Sequence, residues 1–305
     1  MCRGGTASSL AGTVLGMRVA TFNILHGQRV VGAVRDASRG GMLGLPAVDP
    51  AHLAEAIEQI DADVLGMQEV DAHQERSGHV DQAAVASAAM ARSGAAVEAL
   101  FVPSVVGTPG GPRSFQPADE RVQDAVADGP RPHHGPLYGV ALMSRLPVAR
   151  WQRVTFPAPR VSLPLLVAAV PRPKVVTVPD EPRVAIAAQV PFAGRTLTVA
   201  TAHLSFVPGV NVRQLKRLVR WLEAMPRPLV LMGDFNLPGA LPEWLTGWDR
   251  VVAGPTYPSV APRIRFDHIL LDGFSADQVL AARETVQILP LGVSDHCAVV
   301  AELPA

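Results

Sequence analysis

The sequence predicts a layered α/β fold, and three observations carry that expectation. Short continuous apolar runs, Leu229 to Met232 and Val64 to Met67, are typical of strands buried on both faces. Stretches with helical apolar spacing, near residues 50–60 and 210–224, lie between such runs. Hydrophobic residues make up 48% of the chain and aromatic residues 5%, so a sizeable core can be built from Val, Leu and Ala. With 305 residues the chain suffices for one large domain or two modest ones.

Charge and cysteine content narrow the function classes. The 27 basic and 27 acidic side chains cancel, whereas non-specific nucleic-acid binding usually needs a basic excess. The two cysteines, Cys2 and Cys297, give no disulfide framework and point to a reducing compartment. Arg far outnumbers Lys (only Lys174 and Lys216), a pattern of high-GC bacterial coding rather than of function. Met1 to Gly16 reads as a flexible tail and a poor signal peptide, with Met17 an alternative start. No apolar run approaches the ~20 residues that span a bilayer. The expectation is a soluble, cytoplasmic protein with no inferable protein partner.

Taken in order, Arg18 to Ile24 alternates like a strand and ends near Asn23. Residues 28–48 are Gly-rich and read as a loop. Asp49-Pro50 is a helix start, with Asp as cap and Pro in the first turn, followed by the stripe Leu53, Ile57, Ile60. The strand Val64 to Met67 delivers Gln68 and Glu69 at its end. Asp81 to Arg92 reads as an Ala-rich helix, and Ala99 to Val102 as a strand. Residues 103–137, rich in Pro and Gly, read as one long loop. Tyr138 to Ser144 and Val148 to Phe156 return to strand character. Residues 157–182 resemble a linker, yet the motifs on either side complement each other, so one domain is expected over residues 17–305.

Val184 to Val190 and Thr196 to Ala202 read as a hairpin turning at Ala193-Gly194 and delivering His203. The helix near Val210 to Ala224 turns Leu215, Leu218, Val219 and Leu222 inward. Arg213, Lys216, Arg217 and Arg220 form its other face, which reads as solvated rather than phosphate-binding. Next comes the strand ending in Gly233-Asp234-Phe235-Asn236. Phe266 to Leu271 and Cys297 to Leu303 complete the strands, with Cys297 in the core.

Polar residues of catalytic type recur where these apolar strands begin or end: Asn23, Glu69, His203, Asp234, Asn236, Asp267, Asp295 and His296. One such residue is ordinary turn chemistry. Eight at the ends of separate strands describe a site, because layered α/β folds gather their sites there. Oxygen donors without Cys suit Mg²⁺ or Mn²⁺ better than structural Zn²⁺, which favours metal-assisted phosphoryl chemistry.

The ordered set Thr21-Phe22-Asn23, Gln68-Glu69-Val70, Thr201-Ala202-His203, Gly233-Asp234-Phe235-Asn236, Phe266-Asp267-His268 and Ser294-Asp295-His296 resembles the endonuclease/exonuclease/phosphatase superfamily, from about residue 18 to 303. The resemblance implies a four-layer sandwich, two mixed β-sheets packed face to face with helices outside, as in deoxyribonuclease-I-like enzymes. It implies Glu69 as principal Mg²⁺ ligand, with Asn23 and Asp295 at the metal. Asp234 would orient or deprotonate the attacking water, and Asn236 would hold that water or a phosphate oxygen. His296 would donate to the phosphoryl group, held cationic by Asp267, and His203 would contact a non-bridging oxygen. Arg145 is a weak candidate for phosphate contact, and His268 reads as packing.

Two departures move the chain away from abasic-site nucleases: Leu25 stands where they carry an acidic or amide residue, and His268 where they favour Tyr. The expected activity is therefore Mg²⁺-dependent hydrolysis of a phosphodiester or phosphomonoester of unknown identity. A DNA nuclease and a silent phospho-ligand or protein-binding relative are the alternatives.

Overall fold

A computed structural model describes residues 16–30, 48–91, 96–109, 115–159, 162–167 and 174–305, with side chains left undescribed between 162 and 178. In chain order the strands and helices are β1 (Gly16–Asn23), α1 (Pro50–Ile60), β2 (Val64–Ala72), α2 (Gln82–Met90), β3 (Glu98–Gly107), β4 (Phe115–Pro117), α3 (Glu120–Ala125), β5 (Leu137–Ser144), β6 (Arg150–Phe156), β7 (Ser162–Val167), β8 (Lys174–Pro179), β9 (Arg183–Phe192), β10 (Arg195–His203), α4 (Val210–Leu222), β11 (Leu229–Asp234), α5 (Leu241–Thr246), β12 (Asp249–Arg250), β13 (Asp267–Asp272), α6 (Ala276–Glu284), β14 (Gln287–Leu289) and β15 (Ala298–Pro304).

They build two mixed sheets. One runs β14-β15-β1-β2-β5-β3-β4, the other β12-β13-β11-β10-β9-β6, and β7 and β8 form a separate pair. Each large sheet contains one parallel pair, β1 with β2 and β10 with β11. Their facing sides share one core: Val19, Val64, Val140 and Leu142 from the first sheet meet Ile186, Val199, Val230, Met232 and Ile269 from the second. The outer face of the first sheet is covered by α1 and α2, through Leu53, Ile57, Ile60, Ala86 and Met90. The outer face of the second is covered by α4, through Leu215, Leu218 and Leu222. This is the four-layer sandwich, and the burial of apolar strands on both faces follows from it.

Local signals set the element ends. The Asp49 side chain accepts from the Ala51 N–H at the start of α1, and Asp81 does the same for Ala84 at α2. The stripe on α4 is buried as its periodicity requires, while Arg213, Lys216, Arg217 and Arg220 are exposed. Gly66 lets the sheets approach, since a Cβ there would strike the Thr201 side chain. Gly233, at φ 146°, lies so near the Ala202 carbonyl that no larger residue fits.

Several expectations need correction. Residues 103–137 are not one loop: β3 continues to Gly107, β4 pairs back onto it, and α3 follows. The linker-like stretch 157–182 contains the pair β7–β8. The Ala-rich helix ends at Met90 rather than Arg92, which lies outside the described residues, as do Cys2, the tail up to residue 15 and most of the loop 28–48. Cys297 is buried, as expected. Among the described residues no helix is long and apolar enough to cross a membrane.

Candidate active site

Register brings the predicted residues to one end of both sheets. The parallel pairs align Asn23 with Gln68 and His203 with Asp234 at their carboxyl ends. Strand β13 runs antiparallel to β11, so its first residue, Asp267, stands opposite Asp234. Strand β15 runs antiparallel to β1, so the segment Ser294-Asp295-His296 just before it reaches the same edge.

Glu69 arrives by a different route from the one expected. Strand β2 does not end there but continues to Ala72. Between Met67 and Val70 it carries a bulge, with two residues facing the single Val140 of β5. Glu69 adopts φ 59° in that bulge. A bulge re-aims a side chain out of the ladder, and here it turns a mid-strand carboxylate toward the site. Asn236 and Ser294 also have positive φ, 51° and 84°. Such backbone persists where surrounding bonds hold it. Asn236 is held by Asn211, which donates to its carbonyl, and by Asp234, which accepts from its N–H.

Asp234 is the centre. Its Oδ2 accepts from the Asn23 amide at 3.0 Å and lies 3.6 Å from His203 Nε2 and 3.7 Å from His296 Nε2. Burial pushes its carboxyl up to about 6, against the lowering effect of His296. His296 Nδ1 lies 2.8 Å from Asp267 Oδ2, with Asp267 fully buried and His296 nearly so. Burial opposes the charge on His296, yet Asp267 and Asp234 outweigh it and raise the imidazole well above its usual range. His296 is thus a cation with one N–H committed to Asp267 and the other facing Asp234. The 3.7 Å separation exceeds a hydrogen bond, leaving the second N–H available to a ligand oxygen.

His203 is the opposite case. Burial, then Arg183 and His296, hold it well below the usual histidine range, so it is neutral. The Asn236 amide lies 3.3 Å from its Nε2 and donates to the Leu204 carbonyl at 3.0 Å.

Asn23, expected beside the metal, works here as a hydrogen-bond donor. Its amide oxygen accepts from the Leu25 N–H, which fixes the flip of the amide. Its nitrogen then lies 3.0 Å from both Glu69 and Asp234. Asn23 therefore bridges two carboxylates as a donor. Arg145 needs correction. It follows Ser144, which pairs with Val64 at the far end of β2, and its N–H donates to Asp63. Its guanidinium pairs with Asp61 at 2.7 Å and donates to the Met90 carbonyl. It cannot touch a phosphate at the site. His268 is packing, as expected: it stacks on Phe235 and bonds the Leu237 carbonyl.

Glu69 and Asp295 offer carboxylate oxygens of the kind a divalent cation takes. Burial raises both carboxyls; the Asp234 charge adds to the rise at Glu69, and the Glu69 charge to that at Asp295, so the site is short of positive charge. Asp234, Asp267 and His296 also each bring one carboxylate oxygen or ring nitrogen to within 4.8 Å of the others'. A cationic imidazole has no lone pair to give, so that trio reads as a proton-holding relay.

Four further residues escaped the sequence reading. Arg183, at the first position of β9, is buried between Asp180 at 2.6 Å and Glu181 at 3.0 Å. Its charge reaches Glu69 and His203. A charged residue opening an apolar strand was the available signal. Burial raises Glu181 to about 7. Tyr138 is buried beneath Arg76, whose own partner is Asp71. Tyr257 packs its ring against His296, centroids 4.9 Å apart.

No functionally curated protein matches this chain in sequence. Solved structures do match in fold. An endonuclease/exonuclease/phosphatase from Beutenbergia cavernae is 19% identical, covering 95% of this chain and 71% of its own, with a TM-score of 0.58. A family protein from Leptotrichia buccalis is 15% identical, covering 95% and 100%, at 0.57. A mannosyl-6-phosphatase from Bacteroides thetaiotaomicron is 13% identical, covering 95% and 100%, at 0.52. The sequence profile of the Endonuclease/Exonuclease/phosphatase family matches residues 20–296, and the chain belongs to that family.

Proposed function

We propose that this protein is a phosphoesterase, dependent on Mg²⁺ or Mn²⁺, that hydrolyses a phosphate mono- or diester by direct attack of water. The observation that carries the reading is Asp234 Oδ2, set among the Asn23 amide at 3.0 Å, neutral His203 at 3.6 Å and cationic His296 at 3.7 Å. A carboxylate with a pKa of about 6 is mostly ionised at neutral pH and is poised to take a proton. Asp234 orients the attacking water and receives its proton. His296 donates its free N–H to a phosphoryl oxygen, and Asp267 keeps that donor charged. His203, being neutral, offers a contact to a non-bridging oxygen without competing for the proton. Asn236 pins His203 and aligns the Asp234 carboxylate through its own N–H.

Glu69 and Asp295 would hold the cation, which when bound would supply Lewis-acid neutralisation of phosphoryl charge. Asn23 keeps Glu69 and Asp234 from repelling each other apart. The nuclease alternative draws little support. The four basic residues of α4 face outward from the second sheet, and the chain as a whole is neutral.

The test is hydrolysis of p-nitrophenyl phosphate, bis-p-nitrophenyl phosphate and plasmid DNA in parallel, with Mg²⁺, with Mn²⁺ and with chelator. Cation-dependent turnover of one of the small esters is expected. Turnover of plasmid alone would favour the nuclease, and turnover that survives chelation would refute the cation.

A further inference from the structure

Four large hydrophobic side chains among the described residues are exposed, and two of them, Val260 at 64% and Ile264 at 40%, lie on one short hairpin beside His296. That hairpin runs from Tyr257 to Ile264. The two residues exchange both backbone hydrogen bonds, each at 2.9 Å. Residues paired in this way project their side chains to the same face of the ladder. Tyr257 places its ring 4.9 Å from the His296 imidazole and 5.6 Å from Phe266. Ile264 therefore extends the tyrosine surface away from the catalytic imidazole toward solvent.

The platform is preformed. Thr256 N also donates to the Ile264 carbonyl, and Arg263 N to the Tyr257 carbonyl. Ser259 N donates to the Asp295 carbonyl and Ser259 Oγ to that of Ser294. The hairpin is thus tied to the segment that carries Asp295 and His296. Its exposed side chains are Val260, Ala261, Pro262 and Ile264, with Arg263 as the one charge. None of the side chains of Val260, Ala261, Pro262 and Ile264 can hydrogen-bond a sugar hydroxyl or a base edge; on this hairpin only Arg263 and the hydroxyls of Tyr257 and the buried Ser259 can.

We propose that the Tyr257–Ile264 pair is the binding platform for the alcohol half of the ester, and that it selects apolar or aromatic phosphate esters over sugar phosphates. The proposal rests on the phosphoesterase reading. It gives that reading a substrate class through continuity of the platform with His296. Contact with a ring-sized group would remove apolar surface from water on both sides.

The test measures binding by calorimetry, with Mg²⁺, of methylphosphonate, phenylphosphonate and ribose 5-phosphate. None of these measurements depends on turnover. Wild type is compared with Ile264→Ser, a partly exposed position where the fold is expected to survive, checked by circular dichroism. Phenylphosphonate is expected to bind roughly tenfold tighter than methylphosphonate, and Ile264→Ser to bring that ratio down to about three or less while methylphosphonate affinity stays constant. Equal affinities, a ratio untouched by the substitution, tighter binding of ribose 5-phosphate or no binding of any probe would overturn the platform. Loss of cation-dependent ester turnover would instead count against the phosphoesterase reading, so the two failures are distinguishable.

Discussion

The amide nitrogen of Asn23 lies 3.0 Å from a carboxylate oxygen of Asp234, and this bond joins the two sheets at the site. The same nitrogen lies 3.0 Å from Glu69. One neutral donor thus separates two carboxylates that burial already disfavours. Asn23→Asp would replace the donor with a third negative charge. It should destabilise the metal-free protein by about 1–3 kcal/mol, measured by denaturant unfolding. Added Mg²⁺ should restore more stability to the variant than to wild type. Equal unfolding midpoints without metal would show that the bridge contributes nothing.

Asp267 holds His296 in its cationic form. Because the folded pKa of His296 is raised, its donor should persist through neutral pH and be lost only as pH rises through that raised value. Asp234 must be ionised, so activity should climb as pH passes about 6. Asp267→Asn should leave the acidic limb in place and move the alkaline limb to lower pH, with a fall in kcat. An unchanged alkaline limb in the pH–rate profile would remove Asp267 from this role.

Asp234→Ala and His296→Ala should each lower kcat by about 10²–10⁴-fold, the range for a lost general base or charged donor. Circular dichroism should be unchanged. Either purified variant turning over at the wild-type rate would refute its assigned role.

Glu181 contributes a pH dependence of its own. Burial raises it to about 7 from an ordinary glutamate value of 4.5, even beside Arg183. The folded protein therefore keeps a proton that the unfolded chain has released, and stability from this group falls as pH rises through that interval. Glu181→Gln should flatten the decline in unfolding free energy between pH 5 and pH 8. A slope as steep as wild type would contradict the assignment.

Arg145 should matter for stability and not for catalysis. Its partner Asp61 is partly exposed, so Arg145→Ala should cost about 1 kcal/mol, most of it from the Met90 carbonyl bond. Steady-state kinetics should show kcat unchanged; a large fall would return Arg145 to the site.

Much of this molecule was legible in its sequence because its strands are buried. Buried strands read as apolar runs, so the polar residues that end them stand out, and register alone then gathers Asn23, His203, Asp234, Asp267 and His296. The bulge at Glu69 was not legible, since one extra residue in a ladder leaves no periodic mark. Nor was the donor role of Asn23, which depends on the chain turning back so that the Leu25 N–H occupies the amide oxygen. Arg183 hid at the edge of a Pro-rich stretch that read as a linker. Its partner Asp180 lies three residues away, outside any helix or strand that would display the spacing. Arg145 misled because a cation beside a strand end says nothing about which end of the sheet it occupies.

We propose that Glu69 holds the cation beside which the Asp234–His296 pair works. The most direct test is turnover of p-nitrophenyl phosphate or its bis ester after chelation, followed by stepwise return of Mg²⁺, in wild type and Glu69→Ala. Wild type should recover along a saturable curve, while Glu69→Ala stays inactive or needs far more Mg²⁺. Full recovery of Glu69→Ala at the wild-type Mg²⁺ concentration would contradict the account.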